Sequence, residues 1–395
     1  MKSLLISGFG TSITVDKRKL IVTNKAEDQK LEFHPHQIPY DMVVIDGHYG
    51  ILSFEALRWI VKHDITLVTL NWNGNLLSVT LPKETASAKL RIKQYNTYQT
   101  VLKHTIANVI LNEKIDKSLV LLRNLSAYYP VLDINQIETA FNQVKNRYKN
   151  SRELLTYEGN IAIIYWSELQ TVFNELYPEF RFTNRNGRNH SWNMNASDEI
   201  NALLNYGYAI LEAKVRKTIN TVGFDPTIGF LHELKDGRAS LVYDIQELYR
   251  WLIDLSVIQL LEDKKLKKSD FIVTENYNIR LREQTAKAIL EKIGINFNKG
   301  VLYKGKYHSY EFILQDNVRN LASYVIDSTK PLCFSIPNIE IARNDPSELR
   351  NRILSMTPNE RRKLGIRRNT LWYQQKALRE GRKIRVYNKV MTKIS

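Results

Sequence analysis

The chain has 395 residues, of which 43% are hydrophobic and 25% are charged, and its net charge is +16 at pH 7. This apolar fraction excludes a disordered chain, and the single cysteine, Cys333, excludes internal disulfides and cysteine zinc sites, so a cytoplasmic protein is expected. The apolar start is too short for a signal peptide and no apolar segment reaches the length of a membrane helix, so no membrane association is predicted.

Residues 1–85 are predicted to form a small β-rich domain. Its short segments are rich in β-branched and apolar residues and are bounded by turn residues, with one short helix, SFEALRWIVKHD, among them. Asn73 and Gly74 stand between two apolar runs and predict a β hairpin. The predicted strands are LLISG, SITVD, KLIVTN, KLEFHP, MVVIDG, ITLVTLN and LLSVTLP.

Residues 86–330 are predicted to form a larger, all-helical domain, which makes the fold class α+β. Apolar residues recur there at helical spacing with few breakers, in 86–125, 133–146, 158–177, 197–223, 240–262, 280–293 and 311–327. The polar segment 181–195 is predicted to be a loop. Its Arg181, Arg185 and Arg188 are predicted to neutralise phosphates of DNA, because nucleic acid is the simplest partner for a chain of this net charge. The run of Lys264, Lys265, Lys267 and Lys268 fits a solvated loop at least as well.

Residues 331–395 are predicted to be a linker followed by a DNA-binding helix-turn-helix. This segment carries a net charge of +10, most of the excess, which favours a nucleic-acid partner over the alternative of a solvated basic surface. Thr357 to Glu360 form a capping-box pattern with Pro358 at the first helical position, and a second helix is predicted from Asn369 to Leu378.

The side chains of this helix-turn-helix module and of the residues after it divide into three predicted groups. The DNA-reading group is Arg367, Arg368, Asn369, Thr370, Tyr373, Gln374 and Lys376, because the start of a recognition helix faces base edges. The phosphate-contacting group is Arg361, Arg362, Arg382, Lys383 and Arg385. The core group is Leu364, Ile366, Leu371 and Leu378, together with Trp372, for which packing against the linker is the alternative.

Three acidic side chains stand in strongly apolar surroundings. Asp244 and Glu247 lie three residues apart and share one face of a predicted helix, whereas Glu158 begins another apolar helix, where an uncompensated carboxylate is costly. Taken singly, Asp244 and Glu247 also fit a solvated helix face, and His232 fits a structural role. A divalent cation bound by Glu158, His232 and Glu247 would compensate these groups, and such ligands suit Mn²⁺ or Mg²⁺.

Four stretches, in this order along the chain, resemble the CRISPR adaptation integrase family. They are 157–159 (YEG), 201–208 (NALLNYGY), 229–232 (GFLH) and 240–247 (SLVYDIQE). Residues 46–74 are also similar to the strand-helix-strand end of that family's β domain. The resemblance covers about residues 1–327, and the combined set is specific although each stretch alone is weak.

The resemblance implies a prokaryotic metal-dependent enzyme that acts on DNA. It places the catalytic metal ligands on Glu158, His232 and Glu247, with Asp244 as a supporting group or an alternative ligand. Glu247 is favoured because it lies at the offset of the family's last ligand. The family often has a proline-rich segment before the helix at 201, and the different sequence here leaves the placement of substrate open.

The appended basic helix-turn-helix resembles casposases, the transposon-encoded relatives of these integrases. The predicted function is therefore the joining of donor 3′-hydroxyl ends to target DNA, by a homodimer that pairs through its β domain and assembles further on DNA. One alternative is a CRISPR spacer-acquisition integrase, with a role in antiviral defence. The other is a non-catalytic DNA-binding protein whose metal is structural.

Overall fold

The computed structural model of the chain divides it into two compact units, residues 1–338 and 339–395. The residues that the structure describes are 2–8, 10–24, 29–47, 49–71, 73–81, 87–144, 151–185, 196–263, 266–274, 278–339, 354–363 and 368–379. No helix within these ranges is both long and apolar enough to cross a membrane.

The N-terminal part of the first unit contains two four-stranded sheets and one helix. The strands are β1 (Ser3–Ile6), β2 (Thr11–Asp16), β3 (Lys19–Asn24), β4 (Gln29–Phe33), β5 (Met42–Ile45), β6 (Gly50–Leu52), β7 (Thr66–Leu70) and β8 (Leu76–Thr80). One sheet has the order β1-β5-β7-β8 and the other β4-β3-β2-β6. Each of the seven predicted strand segments overlaps an observed strand, and β6 was not predicted because its three residues are too few to show alternation.

Helix α1 (Phe54–Lys62) covers the core of this β domain. It begins where Ser53 Oγ accepts a hydrogen bond from the backbone N–H of Ala56, as an N-cap should. Its apolar face buries Ala56, Trp59 and Ile60 among apolar side chains of both sheets. The predicted hairpin joins β7 to β8, and its turn places Gly74 at a positive φ of 80°, which favours glycine.

The rest of the first unit is mainly helical. The helices are α2 (Ala88–Tyr98), α3 (Leu102–Ser126), α4 (Ile134–Val144), α5 (Ser151–Leu176), α6 (Glu199–Val222), α7 (Ser240–Glu247), α8 (Arg250–Asp263), α9 (Glu283–Asn298) and α10 (Tyr310–Ile326). These bounds differ from the predictions in several places, and the stretch 86–125, for example, is divided between α2 and α3. Helix α5 starts at Ser151, so Glu158 lies inside it, and the predicted helix 240–262 is divided at Leu248 and Tyr249 into α7 and α8.

The prediction of an all-helical domain is wrong, because two short antiparallel hairpins interrupt the helices. Strands β9 (Phe271–Val273) and β10 (Ile279–Leu281) form one, and β11 (Gly300–Tyr303) and β12 (Lys306–Ser309) form the other. Strands of three or four residues give almost no alternating pattern, and both hairpins are flanked by strong helical periodicity. The fold is therefore α+β, with an N-terminal β domain followed by a mainly helical part.

Helix α6 supplies much of the helical core, and most of its side chains are buried. It begins at Asp198, whose carboxylate accepts a hydrogen bond from Asn201 N at 2.8 Å, and it ends at Gly223, which has a φ of 97°. Such a cap and a left-handed glycine are typical signals of helix ends. Helices α7, α8, α9 and α10 all pack against α6, which holds the site helices in place.

Residues 331–338, predicted to belong to a linker, pack onto the helical part of the first unit. Phe334 and Ile336 are buried there, and Tyr310 donates a hydrogen bond to the carbonyl of Pro337 at 2.7 Å. Apolar residues close together in this segment therefore complete the core of the first unit.

The second unit contains two described helices, α11 (Pro358–Lys363) and α12 (Arg368–Arg379). The predicted capping box is present, since Thr357 N donates to Glu360 Oε2 at 2.8 Å and Glu360 N donates to Thr357 Oγ1 at 3.3 Å. Residues 364–367, which would form the turn, lie outside the described residues, so the helix-turn-helix remains a prediction.

Candidate active site

The loop before α7 holds His232 against Asp244. His232 Nδ1 lies 2.8 Å from Asp244 Oδ1, and the same oxygen accepts the backbone N–H of His232 at 2.9 Å. The backbone N–H groups of Phe230 and Leu231 donate to Asp244 Oδ2. The fully buried carboxylate of Asp244 thus uses both oxygens to fix the loop and the imidazole ring. Its role as a supporting group or as an alternative ligand stays a prediction.

Glycine is required at position 229 for this arrangement. A Cβ atom there would lie 2.8 Å from Asp244 Oδ2 and 2.8 Å from the carbonyl carbon and the Cβ atom of Ser240. Such a contact is closer than a real Cβ atom tolerates, so the loop passes α7 only because residue 229 has no side chain. The glycine of the GFLH stretch is therefore required for a steric reason, which is its close contact with Asp244.

Glu158 of α5 and Glu247 of α7 meet at one lysine. Lys114, in the middle of α3, places its Nζ 2.5 Å from Glu158 Oε1 and 2.7 Å from Glu247 Oε2. Burial opposes the charge of Lys114, but the carboxylates of Glu247 and Glu158 outweigh burial and raise the pKa of Lys114. Three helices therefore bring two of the three predicted ligands to one point.

Glu247 is held as an anion by two cations. Its other oxygen, Oε1, accepts a hydrogen bond from Arg250 at 3.1 Å. Burial would raise the pKa of Glu247, but the positive charges of Arg250 and Lys114 outweigh this and lower the pKa to about 2. Oε2 is ion-paired with the Lys114 ammonium at 2.7 Å, and no hydrogen bond of regular geometry reaches this buried oxygen.

The predicted third ligand does not complete a metal site in this arrangement. Among the described residues, no group of three or more His, Cys, Asp or Glu side chains is close enough to hold a metal ion. The donors nevertheless fit Mn²⁺ or Mg²⁺. Glu247 Oε2 is a buried carboxylate oxygen that the Lys114 ammonium neutralises without a regular hydrogen bond, and His232, whose Nδ1 contacts Asp244, keeps Nε2 for a cation. The metal assignment remains a prediction.

A cavity of about 720 Å³ adjoins the two carboxylates. Its lining includes Lys114, Glu158, Glu247 and Arg250, and also the aromatic ring of Trp166. A cavity lined by both charged groups and aromatic surface has the character of a substrate site.

A buried cluster of Tyr165, Tyr208 and Asp254 lies next to Arg250. Asp254 accepts hydrogen bonds from the hydroxyls of Tyr165, at 2.6 Å, and of Tyr208. Burial raises the pKa of Asp254 although these hydrogen bonds and Arg250 act against it. The guanidinium carbon of Arg250 lies 4.3 Å from the centre of the Tyr208 ring. Arg250 is thereby positioned between Tyr208 and Glu247.

Arg185, one of the three predicted DNA contacts in the polar loop, is engaged inside the protein. It donates to Asn201 Oδ1 at 2.6 Å and to Asn205 Oδ1 at 2.9 Å, and its guanidinium carbon lies 5.1 Å from the Tyr208 ring centre. Its side chain therefore ties the loop to α6. Arg181 is exposed, and Arg188 lies outside the described residues.

The basic and polar side chains predicted to bind DNA from the second unit are partly described. Arg362, Arg368, Tyr373 and Lys376 are exposed and Arg361 is half-buried, whereas Asn369, Thr370 and Gln374 are described for their backbone alone. The remainder, Arg367, Arg382, Lys383 and Arg385, lie outside the described residues.

Of the predicted core of this unit, Leu371 is buried and Trp372 is 53% exposed, so the core prediction for Trp372 is wrong. The Trp372 ring instead lies beside Tyr373, with Lys376 Nζ 5.2 Å from its centre. For Leu364, Ile366 and Leu378 no side-chain position is described.

Sequence reasoning did not identify Lys114 and Arg250 as parts of the site. Arg250 could have been found from the sequence. A buried acid needs a cation near it, and Arg250 lies three residues after Glu247, a spacing at which helical side chains can pair. Lys114 gives no such signal, since it reaches Glu158 and Glu247 only through the packing of α3 against α5 and α7.

The chain is similar to known proteins over most of its length. The sequence profile of the family described as "CRISPR associated protein Cas1" matches residues 4–294. The CRISPR-associated endonuclease Cas1 1 of Archaeoglobus fulgidus is 26% identical over 338 residues, which cover 82% of this chain and 96% of the relative. The CRISPR-associated endonuclease Cas1 1 of Francisella tularensis subsp. novicida is 29% identical over 328 residues, which cover 82% and 95%.

Solved structures give the same picture. A casposase bound to its integration product is 36% identical, with a TM-score of 0.80, and the match covers 90% of this chain and 99% of that chain. A Cas1 protein from Thermotoga maritima is 18% identical with a TM-score of 0.68, covering 85% and 100%, and so shares the fold. The resemblance predicted from the four motif stretches is confirmed: the chain belongs to the CRISPR-associated Cas1 family, with a casposase among its structural relatives.

Proposed function

We propose that this protein is a divalent-metal-dependent DNA integrase of the casposase type, which joins 3′-hydroxyl ends of donor DNA to target DNA. The observation that carries the proposal is the meeting of Glu158 and Glu247, from two separate helices, beside a cavity of about 720 Å³. The 36% identity to a casposase, over 90% of this chain, supports the casposase type.

The reaction is a transesterification, in which one phosphodiester bond of the target breaks as another forms to the donor 3′-oxygen. A divalent cation, held by Glu158, His232 Nε2 and Glu247, would polarise the phosphoryl group and stabilise the alkoxide that leaves. Asp244 fixes the ring of His232 through Nδ1, which would leave Nε2 to bind the cation. Arg250 keeps Glu247 ionised and oriented.

A CRISPR spacer-acquisition integrase is the second candidate function. It is favoured by the curated relatives, which are named CRISPR-associated endonucleases and match 82% of this chain. The two candidates share the chemistry of the site and differ in the DNA that they select. Selection of a particular donor end points to a casposase, and selection of a repeat-like target with indifferent donors points to spacer acquisition.

Incubation of the purified protein with a labelled donor duplex, a plasmid and Mn²⁺ or Mg²⁺ tests both candidates. We expect a joined product that is lost in EDTA and in Glu158→Gln, and that depends on the sequence of the donor end. Joining that survives EDTA would contradict the metal-dependent mechanism. Binding of DNA without any joining would support the non-catalytic alternative instead.

Two donor ends joined to two target strands require two active sites at a fixed separation, so we propose that two copies of the chain act together through the β domain. Ile51 of β6 and Phe54 of α1 support this contact, since they are 67% and 82% exposed on neighbouring segments of that domain. Light scattering of the DNA-free protein should show a dimer, and Phe54→Ser should shift it toward the monomer. A wild-type monomer, with and without donor DNA, would contradict this assembly.

A further inference from the structure

Lys114 occupies the point between the two carboxylates to which a cation would bind. Its ammonium contacts Glu158 Oε1 at 2.5 Å and Glu247 Oε2 at 2.7 Å, and the side chain is 21% exposed. Two carboxylates so placed repel each other unless a positive charge lies between them. Lys114 therefore provides, in the protein alone, the positive charge that the carboxylate pair requires.

The two carboxylate contacts of Lys114 differ, and the difference affects how a divalent cation could replace the ammonium. The ammonium donates a hydrogen bond to Glu158 Oε1, whereas it contacts Glu247 Oε2 as an ion pair without regular hydrogen-bond geometry. Arg250, in contrast, holds Glu247 through Oε1 and leaves Oε2 free of its own contact. A divalent cation could therefore bind Oε2 while Arg250 keeps its place.

A lysine ammonium and a divalent cation cannot share this point, because both would carry positive charge to the same two oxygens at short distance. Lys114 has a flexible four-carbon stem and also lines the cavity of about 720 Å³, so its ammonium has space to move away from the carboxylates. A rotation of the Lys114 side chain would therefore free the two carboxylate oxygens for the cation.

We infer that Lys114 is a positioning residue that holds Glu158 and Glu247 together in the metal-free protein and competes with the divalent cation for them. This inference rests on the proposed function, because it places the cation at these carboxylates. Lys114 therefore has the opposite effect on cation affinity to that of a metal ligand. Removal of the Lys114 side chain strengthens cation binding and weakens the metal-free fold.

Lys117 provides a matched control on the same helix. It is also buried, but its ammonium contacts the carbonyl of Ile336, Asn338 Oδ1 at 2.8 Å and Glu113 Oε1 at 3.5 Å. Lys117→Met therefore removes a buried lysine of α3 that has its partners elsewhere. Any effect common to Lys114→Met and Lys117→Met reflects general loss of stability.

The test is a titration of the full-length, DNA-free protein with Mn²⁺. Binding is measured by calorimetry and by the electron paramagnetic resonance signal of free Mn²⁺. Lys114→Met should lower the Kd for Mn²⁺ at least about tenfold, because a positive charge next to the site is removed. It should also lower the Tm without Mn²⁺ and restore most of it at saturating Mn²⁺. Lys117→Met should leave the Kd unchanged, and Glu158→Gln should raise it.

Lys114→Gln serves as a second variant, and folding of either variant only with Mn²⁺ present would also support the inference. An unchanged or higher Kd in both variants would overturn it while leaving the metal site intact. Failure of both to fold even in saturating Mn²⁺ would make Lys114 a purely structural cation and overturn it too. If neither wild type nor variants bind Mn²⁺, the inference and the proposed metal site fail together.

Discussion

The charged side chains around α7 and those on α12 have opposite surroundings. Around α7 they are buried and paired: Glu247 is 6% exposed and contacts Lys114 and Arg250. On α12, Arg368 and Lys376 are exposed. A buried charge is stable only when fixed partners compensate it, and the same partners hold it in the position that catalysis requires. An exposed cation stays hydrated and can contact a phosphate or a base edge.

The difference teaches where each kind of function lies in this chain. Substitutions around α7 should change the rate of strand transfer and leave DNA affinity nearly intact. Substitutions on α12 should change which DNA is selected and leave the rate on a given bound substrate intact. The comparison fails wherever a substitution in one region has the effect expected of the other.

Glu247→Gln is expected to have the largest effect. Loss of this carboxylate should lower single-turnover strand transfer about a thousandfold, which corresponds to about 4 kcal/mol of transition-state stabilisation. Donor DNA affinity, measured by fluorescence anisotropy, should change less than about threefold, since the side chain is buried among its partners.

Glu233→Gln is the control for this substitution, because Glu233 is an exposed acid in the loop before α7. It should leave strand transfer unchanged. Full strand transfer by Glu247→Gln, with loss in Asp244→Asn, would exchange the roles assigned to these two acids.

Compared with Glu247→Gln, Asp244→Asn should lower the rate of strand transfer less and the stability of the fold more. The side chain orients His232, and loss of such a supporting group typically lowers activity about 10- to 100-fold. The amide would also turn an NH₂ group toward backbone donors that now share the carboxylate, at a cost of about 3 kcal/mol in the free energy of unfolding. Urea unfolding measures the second effect, and an unaltered midpoint would contradict the described hydrogen bonds.

Much of the fold could be predicted from local patterns. The β domain shows short alternating strands and an Asn-Gly turn, and α1, α6 and α11 carry cap residues that are recognisable in the sequence. The hairpins β9–β10 and β11–β12 could not be predicted, because strands of three or four residues lack a period. Trp372 was misplaced because a tryptophan in an amphipathic helix suits a core unless the size of that core is known.

The candidate site could be predicted in part. A buried-looking acid requires compensation, so Glu158 and Glu247 stood out, and the motif order connected them with His232. The function of Lys114 depends on three helices that are distant in the chain, and a lysine within a helix normally indicates a solvated face. The contact of Asp244 with the backbone also required structure, because it depends on the close passage of the loop at Gly229.

Arg368→Ala tests the other side of the comparison, with a smaller effect. Arg368 is exposed at the start of α12, where a recognition helix contacts base edges. We expect about a tenfold loss of preference for the specific donor end over a scrambled duplex, with unchanged joining of a saturating substrate. Competition binding at fixed salt concentration measures the preference.

Arg379→Ala is the matched control, because Arg379 is an exposed arginine at the opposite end of the same helix. It should weaken binding to both duplexes by a similar factor, as a phosphate contact does. An equal loss of preference in both variants would show that α12 does not read bases from its N-terminal end.

Thr357→Ala should have the smallest effect and should be confined to the second unit. Thr357 N and Oγ1 both donate to Glu360 Oε2 at 2.8 Å, and the hydroxyl accepts from Glu360 N, so removal of the hydroxyl should destabilise α11 by about 1 kcal/mol. Amide hydrogen exchange in α11 should quicken, with no change in α7 and no change in the rate of joining. Thr357→Ser keeps the hydroxyl and should exchange as wild type does. Faster exchange in α7 as well would show that the two regions are coupled, and the separation of chemistry from selection would then be wrong.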